Sequence, residues 1–332
     1  MPETDNKKPK LPLYLAPMAG VTHSAYRRLV ADFGGTAALF SEMLSPGALL
    51  RENVFESPFT KRRPSEGPVI YQLLIGDGIE SSIPGCIEAL KPLCPDGIDL
   101  NLGCPAPEIK KRGAGSMLFD DYERCAQILD MLRKSWSGKL SVKCRLGKNK
   151  PGWEEYLIKM LKLFEDSGVN LVTIHPRFDD EKLKRIARKK LFPWLTSMTK
   201  IPVVANGDII CCEDIEAIAT DCPEVFGVMI GRMAVVKPWL FAQYTNGLNV
   251  DGLDYLEIWK RYFEYVKEDF VPEKVLGRVK EFTAYYSRNF FFGHQLYTAV
   301  QSAVDVGSMY ERAVGFLGGE PRVAVGCSVN GI

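Results

Sequence analysis

Over residues 11–243, short apolar runs alternate with longer stretches whose apolar positions recur every three or four residues. The short runs are 13–17, 37–42, 69–74, 97–101, 140–145, 171–175, 202–206 and 226–230. Each is bounded by Gly, Pro, Asn or Asp, the pattern of a strand buried on both faces. Between them, 122–135 sets Cys125, Ile128, Leu129 and Leu132 on one face, and 154–166 sets Leu157, Leu161 and Phe164 at helical spacing. Eight strands alternating with helices predict an α/β protein of the (β/α)8 or TIM-barrel type. An open doubly wound sheet is the alternative. No Gly-x-Gly-x-x-Gly follows the first run, which counts against a dinucleotide-binding sheet.

The pattern changes after 244–252, a Gly- and Asn-containing stretch read as a linker. From 251 to 317, Trp259, Tyr262, Phe263 and Val266, then Val279, Phe282, Tyr285 and Tyr286, then Val300, Val304 and Tyr310 recur at helical spacing. This predicts a small all-helical C-terminal domain with a core of aromatics, which does not imply base stacking. Residues 1–10 read as a polar N-terminal tail and 318–332 as a loose, Gly-containing C-terminal tail.

Composition narrows the classes further. The chain has 332 residues, 46% hydrophobic and 25% charged, enough apolar material for a large core. A net charge of +1 gives no global argument for nucleic acid, so any such contact must come from local patches. No apolar run approaches the ~18 residues of a membrane helix. The polar start lacks a signal-peptide core, so a cytoplasmic protein with no membrane partner is expected. Nine cysteines without a Cys-x-x-Cys pair, and three histidines, predict reduced thiols and no metal site.

In a barrel, function gathers at the C-terminal ends of the strands. There the sequence places Ala16, Pro17 and Met18, then Gln72, then Asn101 and Cys104. Lys143 and Arg145, His175 and Arg177, Asn206, Gly207 and Asp208, and Gly231 and Arg232 follow in order. Polar residues at so many ends of buried strands point to one lined pocket. The loops after strands seven and eight often hold phosphate in barrels, and here they carry Asn206-Gly207-Asp208 and Gly231-Arg232. Ordinary βα turns use the same residue types. Lys143 and Arg145 are two apart and share a face, either toward an anionic ligand such as a reduced flavin or toward the outer helices. Cys104 lies in a Gly-Cys-Pro turn, and a thiol with its ordinary pKa of about 8.5 is a candidate proton donor.

Taken together, the motifs resemble the dihydrouridine synthase family of flavoenzymes. They are Ala16-Pro17-Met18-Ala19-Gly20, Ser41-Glu42-Met43, Asn101-Leu102-Gly103-Cys104-Pro105, Gly113-Ala114-Gly115-Ser116, Val142-Lys143-Cys144-Arg145, Asn206-Gly207-Asp208-Ile209 and Met229-Ile230-Gly231-Arg232. The resemblance covers about residues 11–242 and implies a catalytic barrel over 11–243 that binds FMN and a helical RNA-binding domain over 251–317, with NADPH as reductant and tRNA as partner. It implies reduction of the C5=C6 bond of particular uridines, with hydride from reduced FMN to C6 and a proton from Cys104 to C5. By the same likeness Asn101 and Arg145 hold the uracil. Ala16, Pro17, Met18, Gln72, Lys143 and His175 surround the flavin, and Asn206, Gly207, Asp208, Gly231 and Arg232 hold its phosphate end. An oligomer is not required.

Two departures stand out. His175-Pro176-Arg177 replaces the family's His-Gly-Arg, and no tyrosine stands about eight residues beyond that His. Instead 182–190 carries six basic residues in nine, including Lys182, Lys184 and Arg185. This run and Lys110-Lys111-Arg112 read as phosphate-backbone contacts at the barrel mouth, together with Arg177, or else as solvated surface. Eight basic against ten acidic side chains between Asp251 and Arg312 leave only Arg278, Lys280 and Arg288 as a candidate basic face. Rival functions are an FMN barrel oxidoreductase acting on a small enone or pyrimidine, the same reaction on another structured RNA, and a non-enzymatic RNA-binding module.

Overall fold

The computed structural model describes residues 10–181, 184–324 and 326. Eight parallel strands close a barrel in sequential order. They are β1 (Leu13–Leu15), β2 (Ala38–Leu44), β3 (Val69–Leu73), β4 (Gly97–Leu102), β5 (Leu140–Arg145), β6 (Leu171–His175), β7 (Val203–Asn206) and β8 (Gly227–Ile230). Leu13, Tyr14 and Leu15 pair with Val228, Met229 and Ile230 to close the ring. The predicted barrel is therefore the observed fold. Expected strand ends move by one or two residues, because ladder pairing ends where loop residues turn away: Ala16 and Pro17 lie beyond β1, and β2 runs on to Leu44.

Each strand alternates between two environments. Leu140, Val142 and Cys144 of β5 join the large core between barrel and helices, as do Ile98, Leu100 and Leu102 of β4. The opposite set faces the barrel axis. Tyr14, Phe40, Ile70, Val204 and Met229 form an apolar plug there. Asp99, Asn101, Ser141, Lys143, Arg145, Thr173, His175 and Asn206 belong to the same inward-facing set by the two-residue period. The barrel is thus apolar outside and mixed inside, so these polar groups must satisfy one another or a ligand.

The predicted helices form at Tyr122–Ser135 and Trp153–Asp166, the first capped by Asp121 accepting from the Arg124 amide at 3.1 Å. After β8, helix Leu240–Asn246 extends into the stretch expected to be linker. The C-terminal helices are Tyr255–Asp269, Pro272–Tyr286, Gly293–Gln301 and Val306–Leu317. Their aromatic interior includes Tyr262 against Phe282, with ring centroids 4.0 Å apart, and Trp259 stacked on Phe263. The helices dock on Ser24–Phe33, the first barrel helix. Ser24 donates to Asp269 at 2.6 Å, Arg28 pairs with Glu268 at 2.7 Å, and Tyr26 packs against both Tyr262 and Phe282. Part of the expected loose tail is paired: Phe290 bridges Val323, and the Ala324 amide donates to the Asn289 carbonyl.

Candidate active site

At the C-terminal mouth of the barrel a cavity opens between the β1, β6, β7 and β8 loops. Its wall includes Ala16, Pro17, Met18, Lys143, Arg145, His175, Arg177, Asn206, Gly207, Asp208, Gly231 and Arg232. Residues from widely separated parts of the sequence meet here because every strand points its C-terminal end at the same mouth. Lys143 and Arg145 therefore face the ligand side, not the outer helices. Four cationic side chains share the wall with one carboxylate, Asp208. Asp208 takes two bonds from Arg177, at 2.8 and 2.7 Å, and one from Arg232 at 3.3 Å. It fixes both guanidinium groups and leaves the wall with an excess of positive charge.

Burial sets the protonation states. Burial and the neighbouring Arg145 bring Lys143 down to about 8. The imidazole of His175 is pushed well below its ordinary range by burial and by Lys143 and Arg145, so it is neutral. Its Nε2 lies 2.8 Å from the Arg177 guanidinium, which can only donate, so Nε2 accepts and the ring proton sits on Nδ1. Asn206 donates to the Met229 carbonyl at 2.9 Å, tying β7 to β8 beneath the phosphate-type loops.

Gln72, Asn101 and Cys104 are not in this wall; they form a relay beside it. Asp99, buried in the barrel, accepts from Ser141 and, at 2.6 Å, from the Gln72 amide. Gln72 then accepts from Asn101 at 2.8 Å, which orients the Asn101 oxygen toward the amides of Gly103 and Cys104 at 3.2 and 3.0 Å. The Cys104 carbonyl in turn accepts from the Ser116 amide at 3.1 Å. The cysteine turn is thus held from both sides. Burial raises the Cys104 thiol above its usual value, while the positive charges of Arg145 and Lys143 act in the other direction. The thiol stays protonated at neutral pH.

The basic rim is only partly as expected. Lys111, Lys184 and Arg185 are exposed, and Lys182 lies outside the described residues. Lys110 pairs with Asp179 at 3.5 Å, bringing the β4 and β6 loops together. Arg177 is buried, and donates to the Arg185 carbonyl as well as to Asp208. Arg188 makes a two-pronged pair with Glu181 at 2.6 Å, and Lys189 pairs with Asp214 at 2.7 Å. The described part of the run leads into a 3-10 turn at Lys189–Leu191 and is pinned by the Ala187 amide on Asp208 at 2.8 Å. The candidate face of Arg278, Lys280 and Arg288 does not form. Arg278 holds the Gly20 carbonyl and Glu281, and Lys280 is spent on the carbonyls of Gln301 and Ala303.

Sequence reasoning missed Tyr285, which lines the cavity from the C-terminal helices, because its helical spacing placed it in the core. Asp99 was also missed. A carboxylate in the middle of a buried strand was the available signal.

The family model described as dihydrouridine synthase (Dus) matches residues 14–304. The chain belongs to the dihydrouridine synthase family. A probable tRNA-dihydrouridine synthase of Helicobacter pylori (strain ATCC 700392 / 26695) is 33% identical over 239 residues, 70% of each chain. The tRNA-dihydrouridine synthase B of Pasteurella multocida is 28% identical over 241 residues, 73% of this chain and 71% of its own. A mouse tRNA-dihydrouridine(47) synthase [NAD(P)(+)]-like protein is 30% identical over 261 residues, 76% of this chain but 39% of its own. Membership makes this synthase an enzyme of the class that reduces tRNA uridine to dihydrouridine. Among solved structures, morphinone reductase superposes with TM-score 0.53 at 10% identity, covering 75% of this chain and 92% of its own. A variant of NCR from Zymomonas mobilis gives TM-score 0.51 at 14% identity, covering 76% and 93%. At those identities the likeness concerns the barrel fold. Among the described residues, no helix is long and apolar enough to cross a membrane.

Proposed function

We propose that this synthase reduces the C5=C6 bond of uridine in tRNA, with FMN bound at the barrel mouth and NADPH as electron source, in the cytoplasm. The observation that carries the reading is the excess of positive charge on the cavity wall, set beside a turn that holds a protonated thiol. The residues present fit a phosphate-bearing, electron-rich group. Arg232, aligned by Asp208, brings a guanidinium beside Asn206, Gly207 and Gly231, Arg177 adds its positive charge behind it, and Gly231 leaves room beside Met18 and Ala16. Bound and reduced, FMN supplies a hydride.

The chain's own residues do the rest. Lys143, charged at neutral pH, and Arg145 stabilise negative charge on the ring side of the site. Ala16, Pro17, Met18 and neutral His175 would surround the ring, and Gln72 holds Asn101 in place. Asn101 and Arg145 hold the uracil, Asn101 also fixing the cysteine turn. The Cys104 S–H bond breaks as its proton goes to C5 while C6 gains the hydride. The resulting thiolate lies in the field of Arg145 and Lys143 and regains its proton from water. A stacked uridine cannot reach this depth, so the base must leave its helix. Lys111, Lys184 and Arg185, all exposed, would meet the phosphate backbone, with Lys110 and Lys182 as further candidate RNA contacts, whereas Arg177 is buried and committed to Asp208, His175 and the Arg185 carbonyl.

The test is direct. Unmodified tRNA transcript incubated with FMN-loaded protein and NADPH should yield dihydrouridine, read by mass spectrometry of the digested nucleosides. Product from free uridine or a small enone, with none from tRNA, would overturn the proposal.

A further inference from the structure

The surface of the C-terminal helices carries one feature that their core packing does not use. Between Asn289 and helix Gly293–Gln301, two consecutive phenylalanines stand in solvent: Phe291 is 54% exposed and Phe292 60%. Their ring centroids are 6.0 Å apart, and His294 lies 6.3 Å from Phe292. The Arg322 guanidinium sits 4.5 Å over the Phe291 ring. Tyr297, also exposed, lines a groove with Phe291, Arg288 and His294, and no carboxylate lies among its described lining residues. Single exposed apolar side chains are ordinary, but a contiguous aromatic patch interleaved with arginine is not.

The patch is held on a firm support. The Phe291 amide donates to the Arg322 carbonyl at 2.9 Å, and the Ala324 amide donates to the Asn289 carbonyl at 2.8 Å. Phe290 is buried, and Asn289 reaches the Val236 carbonyl at 2.6 Å, just past β8. The groove and the cavity draw on consecutive residues of one helix, Ala284 for the groove and Tyr285 for the cavity. Tyr285 lines the cavity, and Arg288, in the groove, acts electrostatically on both Tyr285 and Arg232.

We infer that Phe291 and Phe292 form a stacking platform for an unpaired base of the RNA that carries the target uridine. This inference rests on the tRNA reading above. Extracting a uridine from its stack leaves neighbouring bases without partners, and an exposed ring beside an arginine gives such a base a π-face and a cation. The absence of carboxylates among the groove's described lining residues favours a polyanion over a protein surface.

The experiment uses the full chain loaded with FMN and unmodified tRNA transcript, with affinity followed by fluorescence anisotropy over a range of salt. Replacing both rings, Phe291→Ala with Phe292→Ala, should weaken tRNA binding about tenfold or more. The slope of log affinity against log salt should not change, because no phosphate contact is lost. FMN content and NADPH-driven flavin reduction without RNA should match the unaltered protein. Phe292→Tyr should retain affinity and Phe292→Leu should not, since only the former keeps a π-face. Unchanged binding by the double variant would overturn the platform, as would Phe292→Leu equal to Phe292→Tyr, the result expected of an apolar protein contact. Failure of the unaltered protein to bind tRNA would overturn the functional reading and the platform together.

Discussion

Cys104 is half-buried in its turn, and that burial holds its thiol above an ordinary value that already leaves it protonated at neutral pH, so it is an acid there and not a nucleophile. Cys104→Ala should therefore keep bound FMN and its reduction by NADPH, yet lose about 10²–10⁴-fold of turnover on tRNA. Rapid-mixing measurement of the two half-reactions checks this, and equal turnover would remove Cys104 from the proton-donor role. Lys143 sets a pH limit. It loses its charge as pH rises through about 8, so an anionic ligand should bind the FMN-free protein more weakly above that pH. Titrating FMN across pH 6–10 should show affinity falling from about pH 8 by tenfold or more, the worth of a charge-assisted hydrogen bond. Lys143→Arg should flatten that fall. The inward direction of Lys143 and Arg145 was half legible in the sequence: their spacing fixed a shared face, but only barrel closure decided which one. Cys104 was legible through its Gly-Cys-Pro turn. The Asp99–Gln72–Asn101 relay behind it was not, because hydrogen bonds between two strands leave no local spacing.

Element by element, the hydrophobic pattern carried most of the fold. Parallel strands buried on both faces read as apolar runs, and all eight were legible, with β5 and β6 correct to the residue. Loops were less so. Spacing marked 182–190 as RNA contacts or else solvated surface, whereas Arg188 is paired with Glu181, just before the run, and Lys189 with Asp214 in the helix after β7. The two glycine loops make separable predictions. Gly207 has φ +121°, and a Cβ there would lie 2.8 Å from the His175 ring and 2.9 Å from the Ala187 Cβ. Gly207→Ala should cost about 1–3 kcal/mol of stability and also weaken FMN binding. At Gly231 an added Cβ meets only the Met18 sulfur at 3.3 Å and the Ala16 Cβ at 3.6 Å. Gly231→Ala should unfold at nearly the unaltered temperature but hold FMN less tightly. Thermal melts with and without FMN separate the two effects, and equal melts with unchanged FMN affinity would contradict both.

In the whole molecule, the C-terminal helices are fastened to the barrel close to the site. Arg278 donates to the Gly20 carbonyl at 2.9 Å, and Glu42 accepts from the Gly20 amide at 2.7 Å. Burial raises Glu42 to about 7, against the opposing pull of that amide and Arg278. A carboxyl raised on folding binds its proton more tightly in the folded state. Its contribution is therefore complete below the ordinary value of 4.5 and is lost as pH rises through about 7. Glu42→Gln should raise stability at pH 8 by up to about 3 kcal/mol and change little at pH 4.5, read from urea midpoints. A stability gain independent of pH would contradict this. The aromatic interior of the helices was visible as periodicity, but its exposed exceptions, Phe291 and Phe292, look the same in sequence as core residues. The central claim is that this barrel delivers reducing equivalents to a uridine in RNA. The most direct test is anaerobic: reduce the bound flavin, add unmodified tRNA or free uridine, and follow flavin absorbance. The account predicts reoxidation with tRNA and none with free uridine over the same period. A reduced flavin indifferent to tRNA, or reoxidised as fast by free uridine, would contradict it.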